Sequence, residues 1–173
     1  MSAPRLELVR GRALLGLKGP RAQAWLAALG VAVPQVPNTW RAGANSWSIV
    51  RLGAAEFFLD TDAADEALAT LRAQLRAGPP GVYPVPREDW ELRLAGARAD
   101  EMLAEIAAID FAALDTDAKP IIMTLMAGIA VVVAPYETAG ERTYRIWCDP
   151  TFGPALNEIL GTLVRAYDEC AAP

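Results

Sequence analysis

Histidine is absent from all 173 residues, and this decides most of what the side chains can do. No Ser-His-Asp or Cys-His relay can be assembled, nor can an imidazole base or metal ligand. Carboxylates, tyrosines, lysines and two thiols remain. Asp110, Asp115 and Asp117 form the densest acidic cluster. They lie between an expected helix and strand beside Lys119-Pro120, and aspartate bonds readily to its own following backbone, so a solvated turn is the expectation. Cys148 precedes the positive end of an expected helix, a setting that favours a thiolate. Its alternation with Ile146 puts it instead on a buried face, where a thiol packs as a small hydrophobe. Cys170 is too isolated to complete a zinc shell with it, and both thiols are expected to be reduced and unpaired. No residue is singled out as catalytic, metal-binding or cofactor-binding.

Two of the fourteen arginines, Arg41 and Arg51, and the five tryptophans supply the other recognition chemistry. Trp25 belongs to a helix core. Trp40 sits beside a proline-rich loop, where core packing and an interface anchor are equally open. Arg41 and Arg51 nearby could cradle a polyanionic tail. Charge is distributed unevenly: residues 1–87 carry ten basic and six acidic side chains, residues 88–173 six and fifteen. With a net charge of −5, nucleic acid is not an expected partner, because phosphate binding needs clustered cations. The longest apolar run, Ile121 to Ala134, is shorter than the ~20 residues of a membrane span and is broken at Gly128. Met1 to Arg5 shows no export segment, so a soluble, cytoplasmic protein is expected.

The elements that must position these residues follow from periodicity. Leu6, Leu8, Leu14, Leu15 and Leu17 predict a strand or hairpin around Gly11. Pro20 suits the start of a helix with Ala22, Trp25, Leu26 and Leu29 on one face and Gly30 as its C-terminal cap. The Pro-, Gly- and Asn-rich stretch from Val31 to Asn45 reads as a loop. Strands at 47–52 and 56–60 lead to a helix capped by Asp62, with Ala64, Ala67, Leu68, Leu71 and Leu75 inward. Gly78-Pro79-Pro80-Gly81 ends it and sets the expected division into halves, 1–81 and 82–173, within one compact domain. After an extended piece at Pro84 and Pro86, a strand with Trp90, Leu92 and Leu94 turns at Gly96 into a helix over 97–108. Strands at 121–127, 129–135 and 143–148 precede a last helix, with Asp149-Pro150 as its opening pair and Phe152, Leu156, Ile159, Leu160, Leu163 and Tyr167 inward.

These elements repeat. Leu14-Leu15-Gly16-Leu17-Lys18-Gly19-Pro20-Arg21-Ala22 aligns with Glu91-Leu92-Arg93-Leu94-Ala95-Gly96-Ala97-Arg98-Ala99 at an offset of 77, and Trp25 and Leu26 then match Met102 and Leu103. The expected unit is a duplicated β-α-β-β-α, the second copy holding an extra hairpin. Each copy leaves apolar surface to cover, so the expectation is an α+β fold with mainly antiparallel, ferredoxin-like halves.

Several segments together resemble the sarcosine oxidase gamma-subunit family: Leu17 to Ala22, Pro37-Asn38, Arg51-Leu52-Gly53 with Glu56-Phe57-Phe58-Leu59, Leu92 to Ala99, and Thr143-Tyr144-Arg145-Ile146. Their order and spacing, over roughly Leu14 to Ala166, carry the likeness. That family in turn is similar to the folate-binding part of glycine cleavage T-protein aminomethyltransferases. The resemblance implies an accessory subunit that is not itself catalytic and lacks a cofactor. Larger flavoprotein subunits would hold FAD, FMN, NAD and tetrahydrofolate and demethylate sarcosine oxidatively to glycine. Glu7 to Arg12, where an aminomethyltransferase would place a carboxylate, is too basic and short to align one. The alternatives are a stand-alone tetrahydrofolate-binding protein and an aminomethyltransferase-like enzyme of one-carbon metabolism.

Overall fold

The structure, a computed structural model, describes residues 4–44 and 46–170; Met1 to Ala3 and Asn45, used above, lie outside them. The fold is α+β, with two five-stranded antiparallel sheets. The chain divides into two compact units, one spanning Gly11–Glu88 and the other taking the chain up to Arg10 and again from Asp89 onward.

In the Gly11–Glu88 unit, β2 (Arg12–Lys18) leads into α1 (Ala22–Ala28), then β3 (Thr39–Ala42), β4 (Ser48–Leu52), β5 (Glu56–Asp62), α2 (Glu66–Arg76) and β6 (Tyr83–Val85). Its sheet runs β3-β4-β5-β2-β6. Alternation puts Leu15, Leu17, Phe57, Leu59 and Ile49 on one face, where Ala22 and Leu26 of α1 and Leu68, Leu71 and Leu75 of α2 complete the core. The other unit begins with β1 (Arg5–Val9) and continues from β7 (Trp90–Ala95) through α3 (Ala99–Ala104), β8 (Ile122–Met126), β9 (Ile129–Thr138), β10 (Glu141–Cys148) and α4 (Gly153–Glu169). Its sheet runs β1-β7-β10-β9-β8. Leu92, Leu94, Val131, Val133, Tyr144, Ile146 and Cys148 pack there with Met102 and Leu103 of α3 and Leu156 and Leu160 of α4.

The repeat is present down to the backbone. Gly19 and Gly96 have φ of +132° and +134°. The residues before the following helices, Arg21 and Arg98, have φ of −107° and −109°. Ala22, Leu26, Ala99 and Leu103 are all fully buried. Within each sheet β7 occupies the place of β2, β10 that of β5, β9 that of β4 and β8 that of β3.

Several expectations are corrected. β1 and β2 do not form a hairpin: β1 pairs with β7 and β2 with β5 and β6. The N-terminal strand thus takes, in the later unit's sheet, the position that β6 takes in the earlier one, and the division does not follow 1–81 and 82–173. Both copies have three strands after their first helix, because β3 forms inside the expected 31–45 loop by pairing Thr39–Ala42 with β4. The extra hairpin is therefore not peculiar to the second copy. α3 stops at Ala104 instead of reaching Ala108, and the freed Ile106 carbonyl accepts the Ala127 N–H at 2.8 Å. Asp65, not Asp62, caps α2; Asp62 closes a turn onto Ala64 N. Asp149 does the same onto Thr151 N, and the helix begins only at Gly153, with Pro154 in its first turn and Phe152 exposed.

Candidate functional site

The β3–β4 hairpin sets Arg41 directly opposite Ile49, and one step along the ladder the Gly43 N–H donates to the Trp47 carbonyl at 2.8 Å. Arg41, Gly43, Trp47 and Ile49 therefore share the helix-facing side of the sheet. Trp47 is held by its indole N–H, which donates to Asp65 Oδ2 at 2.6 Å. The other Asp65 oxygen accepts from the N–H groups of Ala67 and Leu68 at 2.8 and 3.1 Å, and Thr61 Oγ1 donates to Oδ2 at 3.3 Å. The indole bond first, then the helix N–H bonds, hold the Asp65 carboxyl below its ordinary range. Around this framework lies a cavity of about 330 Å³, lined by Arg41, Trp47, Ile49, Val31, Ala67 and small residues between them.

A pH consequence follows. Because its folded pKa lies below the unfolded value of about 3.9, Asp65 contributes stability that is complete above that value and lost as pH falls through the folded pKa. Asp65→Asn is expected to lower the Tm near neutral pH and to narrow the gap to the parent in acid, which thermal melts at about pH 7 and about pH 3 will measure.

Arg51 is not available for an anion. It is only 8% exposed. Its guanidinium donates to the carbonyls of Pro34, Gln35, Gly53 and Ala54 at 3.1, 2.7, 3.3 and 2.8 Å and lies 5.5 Å from the Phe57 ring centre. It ties the proline-rich loop to the β4–β5 turn, with Asn38 adding an acceptor for Gly53 N. Arg41 is exposed and lines the cavity. Trp40 is half-buried opposite Val50, while Trp25 packs partly against the helix-side core as expected.

The acidic cluster resolves into turns. Asp110 Oδ1 accepts from Ala112 N and Ala113 N at 3.1 and 3.3 Å, and Asp115 Oδ1 accepts from Asp117 N at 2.9 Å. Among the described residues no three His, Cys, Asp or Glu side chains converge as metal ligands do.

Cys148 is buried and free, and Cys170 exposed and free. Burial, reinforced by Asp89 and Asp149, pushes the Cys148 thiol up to about 11, so the helix end does not make it a nucleophile. A maleimide is therefore expected to label Cys170 within minutes at neutral pH and Cys148 only after denaturation. Mass spectrometry showing two labels on the folded protein would contradict that burial.

Two polar clusters were not apparent from the residue pattern. Arg145 on β10 grips Glu91 on β7 with two bonds of 2.7 and 2.8 Å, its guanidinium 4.6 Å from the Trp147 ring centre. The alternation of Trp90, Leu92 and Leu94 with Glu91 and Arg93 reads as a half-exposed strand, yet Glu91 is 4% exposed. In the second cluster the Tyr144 hydroxyl donates to the Asp100 carboxylate. Arg142 Nη1 lies 3.4 Å from the same carboxylate and donates to the carbonyls of Phe111 and Ala112 at 2.9 and 3.1 Å. Phe111 meets Tyr144 edge-on. Burial, then the Asp100 bond, pushes the Tyr144 phenol far above its ordinary value, so the cluster braces the loop after α3 and offers no ready base.

No helix among the described residues is long and apolar enough to cross a membrane. No family model matches the sequence, and no curated protein does. The α+β fold is shared with solved structures. One match is a heterotetrameric sarcosine oxidase from Corynebacterium sp. U-96, at TM-score 0.75 and 24% identity, covering 98% of this chain and 87% of that one. Another is the glycine cleavage system aminomethyltransferase T from Bartonella henselae, at TM-score 0.67 and 18% identity. That match covers 92% of this chain but 45% of the aminomethyltransferase, so the chain spans less than half of that protein. The resemblance read from the sequence segments is thus met at the level of fold.

Proposed function

We propose that this chain is the non-catalytic accessory subunit, of gamma type, of a sarcosine oxidase-like flavoenzyme that oxidatively demethylates sarcosine to glycine. The observation that carries this reading is reciprocal coverage: 98% of this chain against 87% of a chain of the heterotetrameric enzyme. A fold that occupies only part of the aminomethyltransferase occurs there as most of a chain. In this reading FAD, FMN, NAD and tetrahydrofolate sit on larger partner subunits, in the cytoplasm. The side-chain inventory supports it, since the histidine-free chain uses its buried Glu91, Arg51 and Arg145 in internal bonds. The alternative, a stand-alone tetrahydrofolate-binding or aminomethyltransferase-like protein, loses Arg51 as a contact for the glutamate tail.

The test is to purify the tagged chain from its own cells grown on sarcosine. Co-elution of larger chains with flavin absorption, together with hydrogen peroxide released on adding sarcosine, is the expected result. Elution without flavin from cells that oxidise sarcosine would overturn the proposal. A saturable rise in the Tm of the isolated chain with a tetrahydrofolate analogue would favour the alternative.

A further inference from the structure

We infer that the cavity of the Gly11–Glu88 unit is a binding site for a small aromatic monocarboxylate, the ring resting against Trp47 and the carboxylate paired with Arg41. This goes beyond the accessory-subunit reading and does not depend on it. The cavity's volume of about 330 Å³ falls at the lower end of the ~300–1,000 Å³ found for small-molecule sites, which suits one or two rings.

Its walls are of three kinds. Val31, Ile49 and Ala67 contribute apolar surface beside backbone from the small residues. Trp47 contributes a flat surface whose polar edge is already satisfied, because the indole N–H is spent on Asp65. The indole is therefore held in place with its one polar atom already bonded, and it favours an apolar ring over a polar ligand. Arg41 supplies the single charge. It stands opposite Ile49 on the side of the sheet that elsewhere carries core residues, yet it is exposed and makes no hydrogen bond or ion pair with a described side chain. Arg51, on the neighbouring strand β4, shows what this protein does with a structural arginine: it saturates the guanidinium with carbonyls. Arg41 is left with its planar fork of donors directed to no such role, the geometry that matches a carboxylate.

The Asp65 carboxylate is bonded to the Trp47 that lines the cavity. Its oxygens are taken by the indole, Thr61 and the first turn of α2, and it forms no ion pair with Arg41. A dianion would carry a second charge into apolar walls without a partner, which is why a monocarboxylate is specified.

An inward charge on an edge strand can also serve to deter edge-to-edge pairing, and the experiment separates the two roles. The full chain is titrated with 2-naphthoate and, separately, with neutral 2-naphthalenemethanol, following tryptophan fluorescence and the amide resonances of Gly30, Ala42 and Ala67. Saturable 2-naphthoate binding that shifts those amides is expected, with Arg41→Gln weakening it about tenfold, the equivalent of about 1.4 kcal/mol, and Arg41→Lys falling between. The neutral analogue should bind about tenfold more weakly to the parent and no differently to Arg41→Gln. No saturable binding, equal binding to Arg41→Gln, or shifts elsewhere in the chain would overturn the site. Self-association of Arg41→Gln without 2-naphthoate binding by the parent would assign Arg41 to edge protection instead.

Discussion

Glu91→Ala is expected to destabilise the unit that contains it by about 3–5 kcal/mol, because it strips the buried Arg145 guanidinium of its two-bond fork with the Glu91 carboxylate. The two side chains are 4% and 10% exposed, and both bonds of the fork are short. Removing one partner therefore costs the desolvation of the other, not merely the net strength of the pair. The two single variants should not be equal. Arg93 Nη2 lies 3.9 Å from Glu91, so in Arg145→Ala the carboxylate keeps a cation within reach, whereas Glu91→Ala takes the same carboxylate away from both arginines. Arg145→Ala should fall at the lower end of the range and Glu91→Ala at the upper end. The double variant Glu91→Leu/Arg145→Met should recover most of the loss, since well-packed apolar replacements of a buried pair are often near neutral. Urea denaturation of the four proteins, with m unchanged, measures all three differences. Equal losses in both single variants would show that Arg93 does not substitute, and a double variant as unstable as Glu91→Ala would show that the surroundings require a polar pair.

This pair also marks where sequence reading stops. Its members lie 54 positions apart, and each occupies an alternate strand position that, taken alone, describes an ordinary surface residue. Only the register of β10 against β7, which sets Arg145 opposite Arg93 and Trp147 opposite Glu91, brings them diagonally together. Arg51 misleads in the same way: a basic residue beside a proline-rich loop suggests a ligand contact, and nothing local reveals that four carbonyls converge on it. What periodicity and turn chemistry do carry is local. The Gly19 and Gly96 turns, the apolar faces of α2 and α4, and the turn roles of Asp110 and Asp115 are all fixed within a few residues of themselves. The sheet assignment of β1 is not local. Leu6 and Leu8 alternate as Leu15 and Leu17 do, and nothing in that pattern says that the first pair joins the core of Leu92 and Ile146 while the second joins that of Phe57 and Leu59. Cap residues fail for a smaller reason. Asp62 and Asp65 are both good candidates, and the choice is made by Trp47, a residue 18 positions away from Asp65, which a local rule does not see.

Gly19→Ala is expected to cost about 2–5 kcal/mol, the sum of backbone strain and overpacking. The residue has φ +132°, outside the range in which an L side chain is comfortable, and a Cβ there would sit 2.4 Å from the Gly81 carbonyl oxygen and 3.0 Å from the Tyr83 ring. The carbonyl is the neighbour that does not yield: Gly81 O accepts the Arg21 N–H at 3.1 Å, whereas the exposed Tyr83 ring can turn aside. Gly96→Ala tests the same turn in the other copy, where φ is +134°, and backbone strain alone should cost about 1–3 kcal/mol. In both copies the turn delivers the chain from strand to helix so that Ala22 N bonds Gly19 O at 3.0 Å and Ala99 N bonds Gly96 O at 3.1 Å. That bond opens each helix and aims its buried face at the sheet. If both substitutions destabilise, with Gly19 the more sensitive, the duplicated geometry depends on the glycines themselves. If Gly96→Ala unfolds at the same urea concentration as the parent, the turn in that copy relaxes without cost, and its unusual φ is a consequence of the helix docking and not its condition.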